Sequence, residues 1–313
     1  MMEAIALVGC KSPAEEAQYL RILTAAMPAE RVVPFRTMGA AEREAARVAI
    51  VANPDPADIA ALPGLVWVQS LWAGVERLVG AFDRPIPIIR LVDREMARTM
   101  AEAVLAWTYY LQRDMPAYAR QQRDRVWRPH PYRKPADTTV GLLGLGALGT
   151  AAAERLVTAG FRVAGWSRTP KALPGLDMAH GTDGLPAMLG RCDILVCLIP
   201  LTPETRGLVN AERLSALKPG AALINFARGP IVVTDDLIAA LDRGHLAHAV
   251  LDVFDAEPLA ADSPLWSHPG VTVLPHISGP TDLDSAAATV AANLEAYRRT
   301  GAPPRGVDAA RGY

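Results

Sequence analysis

The sequence predicts an α/β protein built from two doubly wound parallel-sheet domains, and three observations carry that prediction. The chain has 313 residues, enough for two domains that each bury a core. Short apolar runs of strand length alternate with helical patterns along most of it, as in parallel sheets joined by crossover helices. A glycine-rich turn, GLGALG at 144–149, joins one such run to a helical one, which is how the strand, turn and helix of a dinucleotide-binding unit begin.

The elements follow in order. Residues 4–8, 48–51, 66–70 and 86–91 are apolar and strand-like, with helical or turn segments at 13–25 and 56–62. Residues 95–115 are helix-forming and largely apolar, a natural bridge between domains. A polar, arginine-rich segment punctuated by proline, 120–137, leads to the strand 138–143 that enters the glycine turn. A helix over 150–159, closed by Gly160, and a second strand over 161–166 come next. Runs at 194–198, 222–226, 249–253 and 271–274 continue the sheet, and an alanine-rich helix at 285–299 lies beyond it, placed to return to the first domain.

Composition narrows the function classes. Hydrophobic residues make up 50% of the chain and charged ones 21%, a globular balance. A net charge of -1 gives no reason to expect a nucleic-acid partner. Cys10, Cys192 and Cys197 are odd in number and form no CxxC, so they suggest a reducing compartment and neither a disulfide framework nor a metal site. The first nine residues lack a basic start and read as a strand, not a signal peptide. No apolar stretch approaches the roughly 20 residues that span a membrane. The expectation is a soluble cytoplasmic protein with no metal and no membrane partner.

Within the glycine turn, Gly144 serves the tight turn, Gly146 lets a pyrophosphate approach, and Gly149 packs helix on strand. The helix start at Ala147 and Leu148 offers backbone N–H groups to phosphate. At the end of the second strand, where an acid would accept from a ribose 2′-hydroxyl, stands Ser167, followed by Arg168 and Lys171. A carboxylate would repel a 2′-phosphate, whereas a guanidinium grips one. The turn therefore reads as NADP-binding, against the alternative that Arg168 and Lys171 are solvated loop charges.

Three polar residues follow late strands: Arg228, Glu257 and His276. Ligands of open α/β sheets bind outside the carboxyl ends of the strands. An arginine can hold a carboxylate or orient a carbonyl, a histidine can protonate the oxygen of a carbonyl being reduced, and a carboxylate can hold that histidine charged. Taken singly, each has a structural alternative: a helix-start charge, a loop carboxylate before proline, a strand-capping histidine. His245 and His248 read as a surface turn and His130, His180 and His268 as loop residues; Trp67, Trp107, Trp127 and Trp266 read as core or interface.

The stretch 140–276 resembles the D-isomer-specific 2-hydroxyacid dehydrogenase family. The resemblance is carried by GLGALG at 144–149, LIPLTPETRGLVN at 198–210, INFARGP at 224–230, LDVFDAEPL at 251–259 and LPHISG at 274–279. WSRTPK at 166–171, SPLWSHP at 263–269 and ARGY at 310–313 resemble its glyoxylate/hydroxypyruvate reductase A branch. The resemblance implies a Rossmann dinucleotide-binding domain, 102–283, inserted into a flavodoxin-like substrate-binding domain, 1–101 and 284–313. It implies Arg228, Glu257 and His276 as the catalytic set, with Pro200 and Asp252 among the cofactor-binding residues. It also implies that Trp72, Ala73, Gly74 and Val75 meet the substrate carboxylate through backbone N–H groups, with Arg228 beside it.

The implied activity is reduction of small 2-oxo acids, glyoxylate and hydroxypyruvate, with NADP(H) ahead of NAD(H), in a homodimer. The bulk of Trp72 departs from the small residue of many members, and HISGPT from their alanine-rich continuation. A relative acting on a larger 2-oxo acid and a non-catalytic cofactor-sensing regulator are the alternatives; an intact Arg, Glu and His set argues against the second.

Overall fold

A computed structural model describes residues 3–82 and 84–308, so the ARGY motif at 310–313 lies outside the described residues. The first unit begins with β1 (Ala4–Val8), α1 (Pro13–Ala26), β2 (Arg31–Pro34), α2 (Ala40–Ala45), β3 (Val48–Val51), α3 (Pro56–Ala60), β4 (Trp67–Ser70) and β5 (Ile88–Ile89). Its sheet is parallel throughout, in the order β2-β1-β3-β4-β5, the flavodoxin-like winding. Both faces are covered, which is why β1 and β3 are continuous apolar runs. Ile5 and Leu7 pack with Tyr19 and Leu23 of α1 on one face, and Ala4, Ala6 and Val8 with Ile59 and Leu62 on the other. The expected strand 86–91 shrinks to two residues because Pro85 and Pro87 remove ladder donors.

The second unit comprises α4 (Arg94–Gln112), α5 (Met115–Arg123), β6 (Thr139–Leu143), α6 (Ala147–Thr158), β7 (Arg162–Ser167), β8 (Asp177–His180), α7 (Gly181–Leu189), β9 (Ile194–Cys197), α8 (Ala211–Ser215), β10 (Ala221–Asn225), α9 (Thr234–Asp242), β11 (Leu246–Leu251) and β12 (Val271–Val273). Its strands are parallel in the order β12-β11-β10-β9-β6-β7-β8. The chain runs outward from β6 in both directions, so the winding reverses between β6 and β9, the Rossmann arrangement. The single helix expected over 95–115 ends early: Asp114 takes a left-handed conformation at φ 54 and Pro116 sits in the first turn of α5. Part of the supposed linker is therefore helical. Further on, Arg133 bonds Asp193 (2.9 Å), which also accepts from Lys218 (3.1 Å) and the Thr139 N–H (2.8 Å).

Helix α10 (Leu283–Thr300) belongs with the first unit. Its Tyr297 meets Trp67 edge-on at 5.6 Å, and Asn293 donates to the buried Gln69 at 2.9 Å. The two units divide at Glu95/Met96 and Pro280/Thr281, a few residues from the 101/102 and 283/284 read from sequence. Because α4 continues through the first division, no turn residue marks it.

Two histidine readings are corrected: His180, expected in a loop, ends β8, and His248, expected on a surface turn, is buried. His245 lies in the bend before β11, with Nε2 3.1 Å from the Leu214 carbonyl, but His248 is buried within the strand, Nε2 2.8 Å from Thr272 Oγ1. Burial, with Arg120 and His268 nearby, pushes the His248 pKa down to about 4.

Candidate active site

Strands β10, β11 and β12 are neighbours in the sheet, and Arg228, Glu257 and His276 lie on the loops that leave their carboxyl ends. The loop after β10 is pinned by the last residue of that strand, and the loop after β12 by the residue that follows β11. Asn225, buried at the end of β10, accepts from the Ala227 N–H (3.2 Å) and donates to the Arg228 carbonyl (3.0 Å). The turn that follows runs against the next loop: a Cβ on Gly229 would lie 2.0 Å from the Phe254 carbonyl carbon, so only glycine allows that approach. Arg228 itself is half-buried, and its guanidinium donates to the Ala227 carbonyl at 2.6 Å.

Asp252, the residue after β11, is 2% exposed, and its carboxylate accepts from the Ile277 N–H (2.7 Å) and the Ser278 N–H (2.9 Å). Two charge-assisted bonds thereby fix the loop after β12. They hold His276 in the left-handed region, φ 56, where a side chain other than that of glycine is uncommon. Glu257 accepts from the Phe254 N–H (3.0 Å) with one oxygen and lies 2.7 Å from His276 Nδ1 with the other. The imidazole side chain is 52% exposed, and no described residue bonds its Nε2. The arrangement is a carboxylate-oriented imidazole with its second nitrogen open, able to give or take a proton.

The glycine turn follows β6, beside the winding reversal. Gly144 has φ +97, and a Cβ on Gly149 would sit 1.9 Å from the Gly144 carbonyl oxygen, so the start of α6 packs directly on the turn. Gly146, the N-cap, has open space where a Cβ would project and offers no side-chain cap. The N–H groups of Ala147, Leu148 and Gly149 have no intrahelical partner, as at any helix start. That open cradle, facing unbonded N–H groups and a positive dipole end, fits a pyrophosphate. Ser167 ends β7 with its hydroxyl donating to the Thr169 carbonyl (2.8 Å). Lys171 donates to the Leu145 carbonyl, which puts its ammonium on the glycine turn. Arg168 is exposed near Glu204, whose carboxyl is held below the usual range first by the Thr202 hydroxyl and also by that guanidinium. Pro200, after β9, accepts from the Thr205 hydroxyl (2.7 Å), one residue from Ile199, which packs on Gly144.

In the first unit, residues 71–75 leave the carboxyl end of β4. The Leu71 N–H bonds the Val51 carbonyl (2.9 Å), and the Trp72 N–H bonds Ser70 Oγ (2.9 Å), which donates back to the Trp72 carbonyl (3.0 Å). Trp72 therefore has no N–H left for a ligand. The N–H groups of Ala73, Gly74 and Val75 have no partner among the described residues. The indole packs against the core cluster that holds Leu71 and Tyr19. Among the described residues no His, Cys, Asp or Glu group could hold a metal, and no helix is long and apolar enough to cross a membrane.

Sequence reasoning gave Asn225 no role and read Asp252 as a cofactor residue; both are the pins of the site loops. Their signal is a polar residue ending a fully apolar run, where burial demands a partner.

Comparison with known proteins places the chain in a family. Residues 105–278 match the family model described as D-isomer specific 2-hydroxyacid dehydrogenase, NAD binding domain. The chain is similar over its whole length to a D-isomer specific 2-hydroxyacid dehydrogenase from Xanthobacter autotrophicus, solved with NADPH and MES, at 41% identity, TM-score 0.93 and 100% coverage of both chains. An NADPH-dependent glyoxylate/hydroxypyruvate reductase from Sinorhizobium meliloti, solved with NADP and sulfate, is 34% identical with TM-score 0.88, covering 99% of this chain and 100% of its own. A probable 2-hydroxyacid dehydrogenase from Rhizobium etli, solved with NADP, HEPES and L(+)-tartaric acid, is 32% identical with TM-score 0.90 and 100% coverage of both.

Proposed function

The chain belongs to the D-isomer specific 2-hydroxyacid dehydrogenase family, and on that premise we propose that it reduces small 2-oxo acids with NADPH, glyoxylate to glycolate and hydroxypyruvate to glycerate. The observation that carries the reading is the 2.7 Å contact of Glu257 with His276, on loops beside that of Arg228. As an NAD(P)-dependent 2-hydroxyacid dehydrogenase, the protein needs a proton donor, a carboxylate anchor and a dinucleotide cradle.

Arg228 anchors the substrate carboxylate and orients its carbonyl through the planar guanidinium fork. His276 gives the proton from Nε2 to the carbonyl oxygen while Glu257 steadies the imidazole through Nδ1. The reduced nicotinamide, when bound, supplies the hydride to the carbonyl carbon. Asp252 positions His276 by holding the backbone that follows it. The N–H groups of Ala73, Gly74 and Val75 receive the substrate carboxylate in the substrate-binding unit.

In the dinucleotide-binding unit, Gly144, Gly146, Gly149 and the first N–H groups of α6 hold the pyrophosphate, with Pro200 bordering the cradle. Ser167, Arg168 and Lys171 take the 2′-phosphate: the serine removes the repulsion an acid would exert, and the two cations supply the opposite charge. The S. meliloti relative, NADPH-dependent by its name, supports that cofactor and those substrates. Fully exposed Trp127, with exposed Val126 and Tyr132 on the same segment, supports a homodimer, because apolar surface of that size is rarely left to water. Three buried free cysteines fit a cytoplasmic setting.

The deciding experiment follows reduced-cofactor absorbance with NADPH and NADH against glyoxylate, hydroxypyruvate and larger 2-oxo acids. Turnover of the two small acids with NADPH is expected. Absence of turnover with every 2-oxo acid overturns the reading, and preference for a larger acid overturns the substrate assignment.

A further inference from the structure

The turn between β1 and α1 leaves one cation without a carboxylate partner beside the 71–75 loop. The Lys11 N–H donates to Glu15 Oε2 at 2.5 Å, and Glu16 faces Arg36 at 3.9 Å. Both acids in the first turn of α1 are thereby occupied. Lys11 Nζ has no hydrogen bond or ion pair among the described residues. It lies 5.4 Å from the centre of the Trp72 ring, within the range of a cation–π contact. The ring is held in place: it packs against the core cluster of Leu71 and Tyr19, Ser70 ties the backbone N–H and carbonyl, and the Leu91 N–H donates to the same carbonyl at 3.0 Å. An exposed, un-neutralised ammonium is thus seated on the residue that directly precedes three unbonded N–H groups.

We propose that Lys11 is a specificity-determining residue that, among the larger 2-oxo acids the site also admits, favours those bearing a second anionic group on the carbon chain. The inference rests on the reading of Ala73, Gly74 and Val75 as the seat of the substrate carboxylate. A compact ammonium with three donors and no internal acceptor takes an oxyanion readily. Glyoxylate and hydroxypyruvate leave that charge unused; a 2-oxo dicarboxylate places its distal carboxylate against it. The chemistry is unchanged: NADPH is oxidised as its hydride forms the C–H bond at the ketone carbon, and a proton completes the hydroxyl. Trp72 acts here as the support that holds the cation at the loop.

The test compares oxaloacetate with 2-oxobutanoate, which have the same number of carbons and differ by the distal charge. Steady-state constants are measured with NADPH for the parent, Lys11→Met and Lys11→Arg. Lys11→Met should lower the ratio of kcat/KM for oxaloacetate over 2-oxobutanoate about tenfold, through KM more than kcat, while Lys11→Arg keeps most of it. Added salt should raise the parent's KM for oxaloacetate and leave that of Lys11→Met nearly level. An unchanged ratio, or an equal loss on both substrates, overturns the role of Lys11 and leaves the reductase reading standing. Failure of the parent to turn over any 2-oxo acid, glyoxylate included, overturns that reading and this inference with it.

Discussion

Replacing His248 with glutamine should make the protein less sensitive to mild acid. The imidazole is buried in β11, its Nε2 meets Thr272 Oγ1, and its buried Nδ1 has no hydrogen-bond partner. A proton added at Nδ1 would bring a charge and a donor into a place with no acceptor, near Arg120 and His268. Its pKa is about 4 in the folded protein against an ordinary 6.5. The unfolded chain therefore takes up the proton first as pH falls. Stability is complete above about pH 6.5, erodes between 6.5 and 4, and levels off below. At about 1.36 kcal/mol for each pKa unit, the full loss is roughly 3 kcal/mol, of which about 2 is reached by pH 5. For a unit of this size that corresponds to roughly 4–8 °C in Tm. The assay is thermal unfolding of parent and His248→Gln from pH 7.5 to 4.5. The glutamine variant should be less stable at pH 7.5, through imperfect packing, yet lose less on acidification. Parallel loss in both proteins would refute the reasoning and assign the acid sensitivity to other groups.

Three further outcomes concern the site. Arg168→Ala should reduce the preference for NADPH over NADH about tenfold, the low end for a charge-assisted contact at an exposed position, read from kcat/KM with each cofactor; unchanged preference would remove Arg168 from the 2′-phosphate. His276→Ala should lower kcat by roughly two to four orders of magnitude with NADPH binding, followed by fluorescence, nearly intact; turnover within a few-fold of the parent would end the proton-donor role. Arg228→Lys keeps the charge but loses the fork, so kcat and kcat/KM with glyoxylate should fall together. Near-parental kinetics would make Arg228 structural.

What could be read from sequence follows from where each element sits. Strands covered on both faces are uninterrupted apolar runs, and β1, β3, β6 and β9 were recognisable for that reason. Strands β2 and β8 lie at sheet edges with mostly half-exposed residues, so RVVP and DMAH carry no such run and pass for loop. Arg228, Glu257 and His276 were visible because each follows shortly after an apolar strand. Their mutual geometry was not, since it depends on Asp252 bonding backbone in a loop that lies far along the chain. Nor could the sequence reveal that the Ser70 hydroxyl occupies the Trp72 N–H, a matter of one rotamer.

The pins at the ends of β10 and β11 separate the geometry of the site from the length of its loops. Asn225 sets the backbone around Arg228 over three residues, and Asp252 grips Ile277 and Ser278 across a gap of about two dozen. The intervening segment around 259–270 contributes neither bond. Because closing a longer loop costs only slowly more entropy, the exposed positions of that segment, away from the buried Leu265, can exchange their surface or take insertions while His276 keeps its address. A designer seeking a new binding face on this scaffold would graft there, and would leave two buried side chains, neither of them a reacting group, strictly alone.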